Sequence, residues 1–113
     1  MSLNNLDLND SQRKALYQLK KRINNKYSIV ETLVFGSVAR NEAEIGSDLD
    51  VLVLTNKGMS HKEKHEIYAL VTEVNLEYNT NLSVLIVDKV GWESGLYSVL
   101  PIKDEIKRDG VRF

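Results

Sequence analysis

Apolar positions along the chain follow two rhythms, and the alternation between them lays out its elements. From about Asp10 to Tyr27, Leu16, Leu19, Ile23 and Tyr27 return at helical spacing with Arg, Lys and Gln between them. This predicts an amphipathic helix, capped by Asp10 or Ser11. Ile29 to Phe35 is rich in β-branched and aromatic residues and reads as a strand that stops at Gly36-Ser37. Val38 to Ser47 is small and polar, with Gly46 near its end, and predicts a short helix and a loop. Asp48 to Leu54 is apolar apart from its two aspartates. It predicts a central strand covered on at least one face, ended by Asn56-Lys57-Gly58. Ile67, Leu70, Val71, Val74 and Tyr78 then form one helical stripe, with Ser60 as cap and Glu63 as its capping-box partner. Asn79-Thr80-Asn81 breaks that pattern, and Leu82 to Val87 reads as a third strand. The tail from about Lys89 reads as helix, broken near Pro101 and ended around Asp109-Gly110. The order helix, strand, short helix, strand, helix, strand, helix predicts a small α/β (α+β) domain whose sheet is flanked by helices. Periodicity leaves strand order and direction open.

Composition narrows the class. The chain has 113 residues, which suits one domain spanning 1–113 with one core. At 42% hydrophobic and 27% charged residues it falls among folded globular proteins rather than disordered ones. A formal net charge of -1 gives no general attraction to nucleic acid, so direct nucleic-acid binding is not indicated. The absence of cysteine excludes disulfides and thiolate metal sites. No apolar stretch approaches a membrane span, and the start Met1-Ser2-Leu3-Asn4-Asn5 has no apolar signal core. Together these features lead us to expect a cytoplasmic protein.

Candidate chemistry centres on two short patterns. Asp48 and Asp50 are separated by one residue on an expected strand, so both carboxylates point to one face while Leu49, Val51 and Val53 point to the other. Two like charges on an apolar strand repel and cost desolvation energy. A divalent cation relieves both, and oxygen-only ligands favour Mg²⁺ or Mn²⁺. A bare pair of this kind also occurs at solvated strand ends without a role. Upstream, Gly36 permits close ligand approach or positive φ, and Ser37 offers a hydroxyl and backbone N–H groups to a phosphate. Taken alone, this is equally an ordinary strand-to-helix turn. Arg40, three residues past Ser37, is placed to reach a phosphate or to lie solvated on the short helix.

The joint pattern is more specific. Gly36-Ser37, ten intervening residues and Asp48-Leu49-Asp50 form GS-x10-DxD between two apolar strands. The local context is Val-Phe-Gly-Ser-Val-Ala-Arg and then Gly-Ser-Asp-Leu-Asp-Val-Leu-Val. This resembles the signature of minimal nucleotidyltransferases of the polymerase-beta-like superfamily, and the order of elements and the tail Ile106-Lys107-Arg108-Asp109-Gly110 extend the resemblance along nearly the whole chain. It implies the nucleotidyltransferase fold, a small mixed β-sheet flanked by helices. It further implies that Gly36 and Ser37 hold the β- and γ-phosphates of an NTP such as ATP. Asp48 and Asp50 are implied as the catalytic and metal-binding pair, holding Mg²⁺ (or Mn²⁺). The product the resemblance implies is a nucleotidylated hydroxyl.

The pattern departs from the family at one place. Full sites in this superfamily usually add a third carboxylate on the next strand, and the residue aligned there is Ser83. A hydroxyl is a poor substitute for a carboxylate as base or ligand. Asp88 has the opposite parity and should face the other side of the sheet, while Glu42 and Glu44 precede the pair in the loop. Two readings follow: a transferase that is weak or completed by a partner, or an adaptor or antitoxin that acts by binding alone. Since the signature fills the chain, the acceptor must lie on another subunit or be the partner itself. By resemblance that partner is a protein, such as a HEPN-type ribonuclease toxin to which an antitoxin transfers AMP. No residue specifies the base or the acceptor, and an oligomer is compatible with the sequence. His61 and His65 are four apart in a lysine-rich setting with no third ligand, so a histidine metal site is disfavoured. Trp92, Tyr97 and Phe113 are candidates for core or for a partner-facing patch.

Overall fold

The computed structural model describes residues 3–44 and 46–113, so the reading of the Met1-Ser2 start, and of the loop at Ile45, lies outside the described residues. Helix α1 (Asp10–Asn24) is capped one residue earlier than expected. Asn9 Oδ1 accepts the Gln12 N–H at 2.8 Å, and the Gln12 side chain accepts the Asn9 N–H at 2.9 Å. Asparagine serves as well as aspartate or serine here because its side-chain oxygen reaches the same orphan donor. Tyr27 lies past the end of α1 yet still packs against the core.

Strand β1 (Ile29–Phe35) pairs antiparallel with β2 (Leu49–Thr55), and β2 pairs parallel with β3 (Leu82–Asp88). A parallel pair needs a long crossover, which α3 (His61–Tyr78) supplies. Ser60 and Glu63 form the expected capping box on α3, and Asn79 ends it in the left-handed conformation at φ +54. The tail is more broken than expected: α4 (Lys89–Glu93), a 3-10 turn (Leu96–Val99), α5 (Pro101–Asp109) and a two-residue strand β4 (Val111–Arg112). β4 joins the outer edge of β1, giving a mixed sheet ordered β3-β2-β1-β4. Two residues carry no detectable period, which is why β4 was not expected. Among the described residues, no helix is long and apolar enough to cross a membrane.

Alternation along the strands divides the core. On the first face, Val34, Leu49, Val51, Val53 and Ile86 pack against Leu16, Leu19 and Ile23 of α1 and Ile67, Val71 and Val74 of α3. On the second, Leu33, Phe35, Leu52, Leu54, Leu85 and Val87 meet Trp92, Tyr97, Ile102 and Ile106 from the tail. Phe113 joins the first cluster. Two long helices cover one face and only short tail segments cover the other. The second face is where Asp50 stands, beside Phe35 and ahead of Leu52.

Candidate functional site

The site is set by the pairing of β1 with β2. Phe35, the last residue of β1, is the register partner of Asp50. The chain leaving β1 therefore turns directly beside the Asp50 side chain. That turn is Gly36, the first residue of α2 (Gly36–Ala39), at φ +76. This is left-handed backbone that L side chains avoid. A Cβ at Gly36 would also lie 2.3 Å from Asp50 Oδ2. Conformation and space independently require glycine, and the contact brings the two halves of the GS-x10-DxD pattern together. Ser37 follows, half-buried. The residue in the cap position of α2 is Phe35, which makes no side-chain hydrogen bond, whereas α1 and α3 each have a full capping box. Among the described residues, the first N–H groups of α2 thus have no capping side chain, and they lie next to Asp50.

Asp48 lies one residue ahead of β2 rather than within it, and is exposed. Asp50 is half-buried. Burial pushes the Asp50 carboxyl above its ordinary range, the Asp48 charge pushes it further, and Arg40 pulls partly against both. The pair is thus left under-neutralised. Among the described residues, no group of three or more His, Cys, Asp or Glu could hold a metal ion. Two carboxylates fit Mg²⁺ nonetheless, because that ion commonly takes one or two from protein and the rest from phosphate and water. A prediction follows for the metal-free protein. The raised acid binds its proton more tightly folded than unfolded, so stability declines as pH rises from the ordinary aspartate range through the folded value. Asp50→Asn should remove this decline and raise the melting temperature in EDTA at neutral pH. A thermal scan from pH 4 to 8 that shows the same slope in both proteins would contradict it.

The surroundings sort the remaining candidates. Arg40 is exposed and pairs through Nε with the Glu42 carboxylate at 3.1 Å. Its charge also acts on Asp109, at the end of α5, whose carboxyl is held down first by Arg108 and further by Arg40. Asp109 thus approaches the site from the tail, which packs on α2. The sequence marked it as a helix end and as part of the tail that resembles the family, and nothing in its local pattern links it to Asp50. Ser83 is the register partner of Asp50 on β3 and is exposed, so a hydroxyl stands at the place where a third carboxylate was sought. Asp88 pairs with Thr55, has the parity of the first face, and accepts the Gly91 N–H at 3.0 Å as the cap of α4. His61 and His65 are exposed on α3, the helix packed on the first face, away from Asp50.

A family model for the nucleotidyltransferase domain matches residues 16–112. The chain belongs to the nucleotidyltransferase domain family. The chain is 32% identical over 74 residues to a Methanocaldococcus jannaschii protein provisionally named a protein adenylyltransferase, covering 64% of this chain and 75% of that one. A solved chain provisionally identified as a minimal nucleotidyltransferase superposes with a TM-score of 0.62 at 23% identity, covering 100% of this chain and 97% of that one. A toxin-antitoxin crystal structure with AMP-PNP contains a chain similar at a TM-score of 0.61 and 14% identity, covering 92% and 72%. A provisional nucleotidyltransferase from Sulfolobus solfataricus gives 0.51 at 21%, covering 95% and 89%. At these identities the structures show the nucleotidyltransferase fold, the α/β domain with a small mixed sheet that the sequence implied. Family and relative support nucleotidyl transfer as the general activity.

Proposed function

We propose that this chain, acting as a single domain over 1–113 in the cytoplasm, transfers AMP from ATP to a hydroxyl of a protein partner with the help of Mg²⁺. The observation that carries the reading is the close approach of Gly36 to Asp50, which sets the Gly36-Ser37 turn against an under-neutralised carboxylate pair. Ser37 Oγ and the uncapped N–H groups of α2 hold the β- and γ-phosphates, and Arg40 adds a cation at the rim. Asp48 and Asp50 would hold Mg²⁺, which when bound would supply charge neutralisation at the α-phosphate and on pyrophosphate. The acceptor oxygen forms a bond to the α-phosphorus as the bond to the bridging oxygen of pyrophosphate breaks. The acceptor proton passes to water, because Ser83 offers no base beside Asp50.

The name of the M. jannaschii relative supports a protein acceptor, and the toxin-antitoxin structure with AMP-PNP supports an adenine nucleotide and a toxin, of HEPN type by the sequence resemblance, as that acceptor. Ser83 favours a second reading, an adaptor or antitoxin that binds nucleotide and partner without transfer. One incubation separates the two. With ATP labelled at the α-phosphate, Mg²⁺ and the co-expressed partner, transfer gives a partner carrying label stable to denaturation, and Ser83→Ala changes its yield less than about threefold. Nucleotide binding without covalent label would establish the binding module instead.

A further inference from the structure

Past Asp50 the second sheet face continues through Leu52 to Leu54, both buried where the short tail segments pack on it, while Leu33 and Trp92 at the margin are only half-buried. A groove of about 740 Å³ lies there, floored by Leu33, Leu52 and Leu54 and walled by Trp92. Lys89, Lys103, Lys107 and Arg112 line it against only two carboxylates, Glu31 and Glu93. Arg112 is ion-paired with Glu31, and Lys103 Nζ stands 5.7 Å from the centre of the Trp92 ring. Among the described residues, Lys89 and Lys107 form no ion pair. An excess of cations around an apolar floor stands out on a protein whose net charge is -1. Exposed Val90, Leu96 and Val99 extend apolar surface on the same tail cover. The complementary ligand carries an apolar side chain flanked by carboxylates, since apolar burial anchors it and opposite charge selects it.

We propose that this groove docks an acidic segment of the acceptor protein, its apolar residue seated against Leu33 and Trp92 and its carboxylates against Lys103 and Lys107. The identity of the occupant as acceptor rests on the transferase reading. Leu54 lies four residues from Asp50 on β2 and on the same face, a distance of roughly 13 Å along the strand. One partner can therefore occupy the groove and reach the metal pair.

Trp92 is the chain's only tryptophan, so its emission reports the groove directly. The probe is a blocked peptide, Glu-Asp-Leu-Phe-Asp-Glu, with Lys-Lys-Leu-Phe-Lys-Lys and a six-thymidine oligonucleotide as controls. The acidic peptide should change the emission saturably and weaken as salt rises from about 50 to 300 mM, as exposed charge contacts do. By anisotropy of the fluorescein-labelled peptide, Lys103→Glu with Lys107→Glu should weaken binding about tenfold or more. Lys89→Glu, at an exposed site, should weaken it less, and both variants should keep the ATP·Mg²⁺ thermal shift. Equal binding of the basic peptide, binding of the oligonucleotide in place of the acidic peptide, or unchanged affinity in both variants would overturn the proposal. If the peptide binds but no partner is labelled, the transferase reading falls and with it the occupant's role as acceptor, while the groove remains a docking site for an acidic segment. If the partner is labelled but the peptide does not bind, the groove proposal falls alone.

Discussion

In the Asp48→Asn, Asp50→Asn variant, covalent labelling of the partner falls by roughly a thousandfold or more. The size follows from the charge that develops at the α-phosphate and on pyrophosphate. Metal neutralisation there supplies several kcal/mol, and each ~1.4 kcal/mol is a factor of ten in rate. The same variant should lose the stabilisation that ATP and Mg²⁺ give the parent, about 2.7 kcal/mol at a free nucleotide concentration one hundred times Kd. Its metal-free form should nonetheless melt no lower than the parent, because the substitution removes two like charges, of which Asp50 is half-buried. These opposite signs exclude a trivial folding defect. Differential scanning fluorimetry in EDTA and in ATP·Mg²⁺ reads both, and an undiminished nucleotide shift in the variant would remove Asp48 and Asp50 from the metal site.

Gly36→Ala should destabilise the fold and disable the site at once. Holding alanine at φ +76 costs about 1–3 kcal/mol, and the added Cβ meets Asp50 Oδ2. Asp50 can yield only by turning its carboxylate away from the position it shares with Asp48. We expect the melting temperature to fall by roughly 5–10 °C. Labelling should drop about a hundredfold even at a temperature where the variant is fully folded, since a misplacement near 1 Å costs that much in a positioned reaction. Gly46→Ala is the control: its φ is +87 but, among the described residues and apart from its chain neighbours, no atom lies within 4 Å of the added Cβ, so it should cost stability without displacing Asp50. Equal activity loss in both variants would show that backbone strain, rather than the contact with Asp50, is what matters.

The sequence by itself determined the long elements and the family, and it supplied the candidate residues of the site. α1, α3 and the three seven-residue strands were legible because burial imposes a period on each segment locally, 3.6 in the helices and 2 in the strands. The spacing of Gly36-Ser37 and Asp48-Leu49-Asp50 carried the family, and the alternation of Ser83 and Asp88 correctly put them on opposite faces. Local capping was less legible: α1 starts from Asn9 because several adjacent residues can satisfy the same orphan N–H. Only the tertiary structure decided the sheet order, the two-residue β4, and the packing of α5 on α2 that brings Asp109 within the field of Arg40. It also decided that Gly36 touches Asp50, because the antiparallel register of Phe35 with Asp50 joins segments that no local pattern relates. The basic groove is of the same kind. Lys89, Lys103, Lys107 and Arg112 read as scattered surface charges until α4, α5 and β4 pack around one sheet face, because a shared electrostatic surface depends on distance in space rather than along the chain.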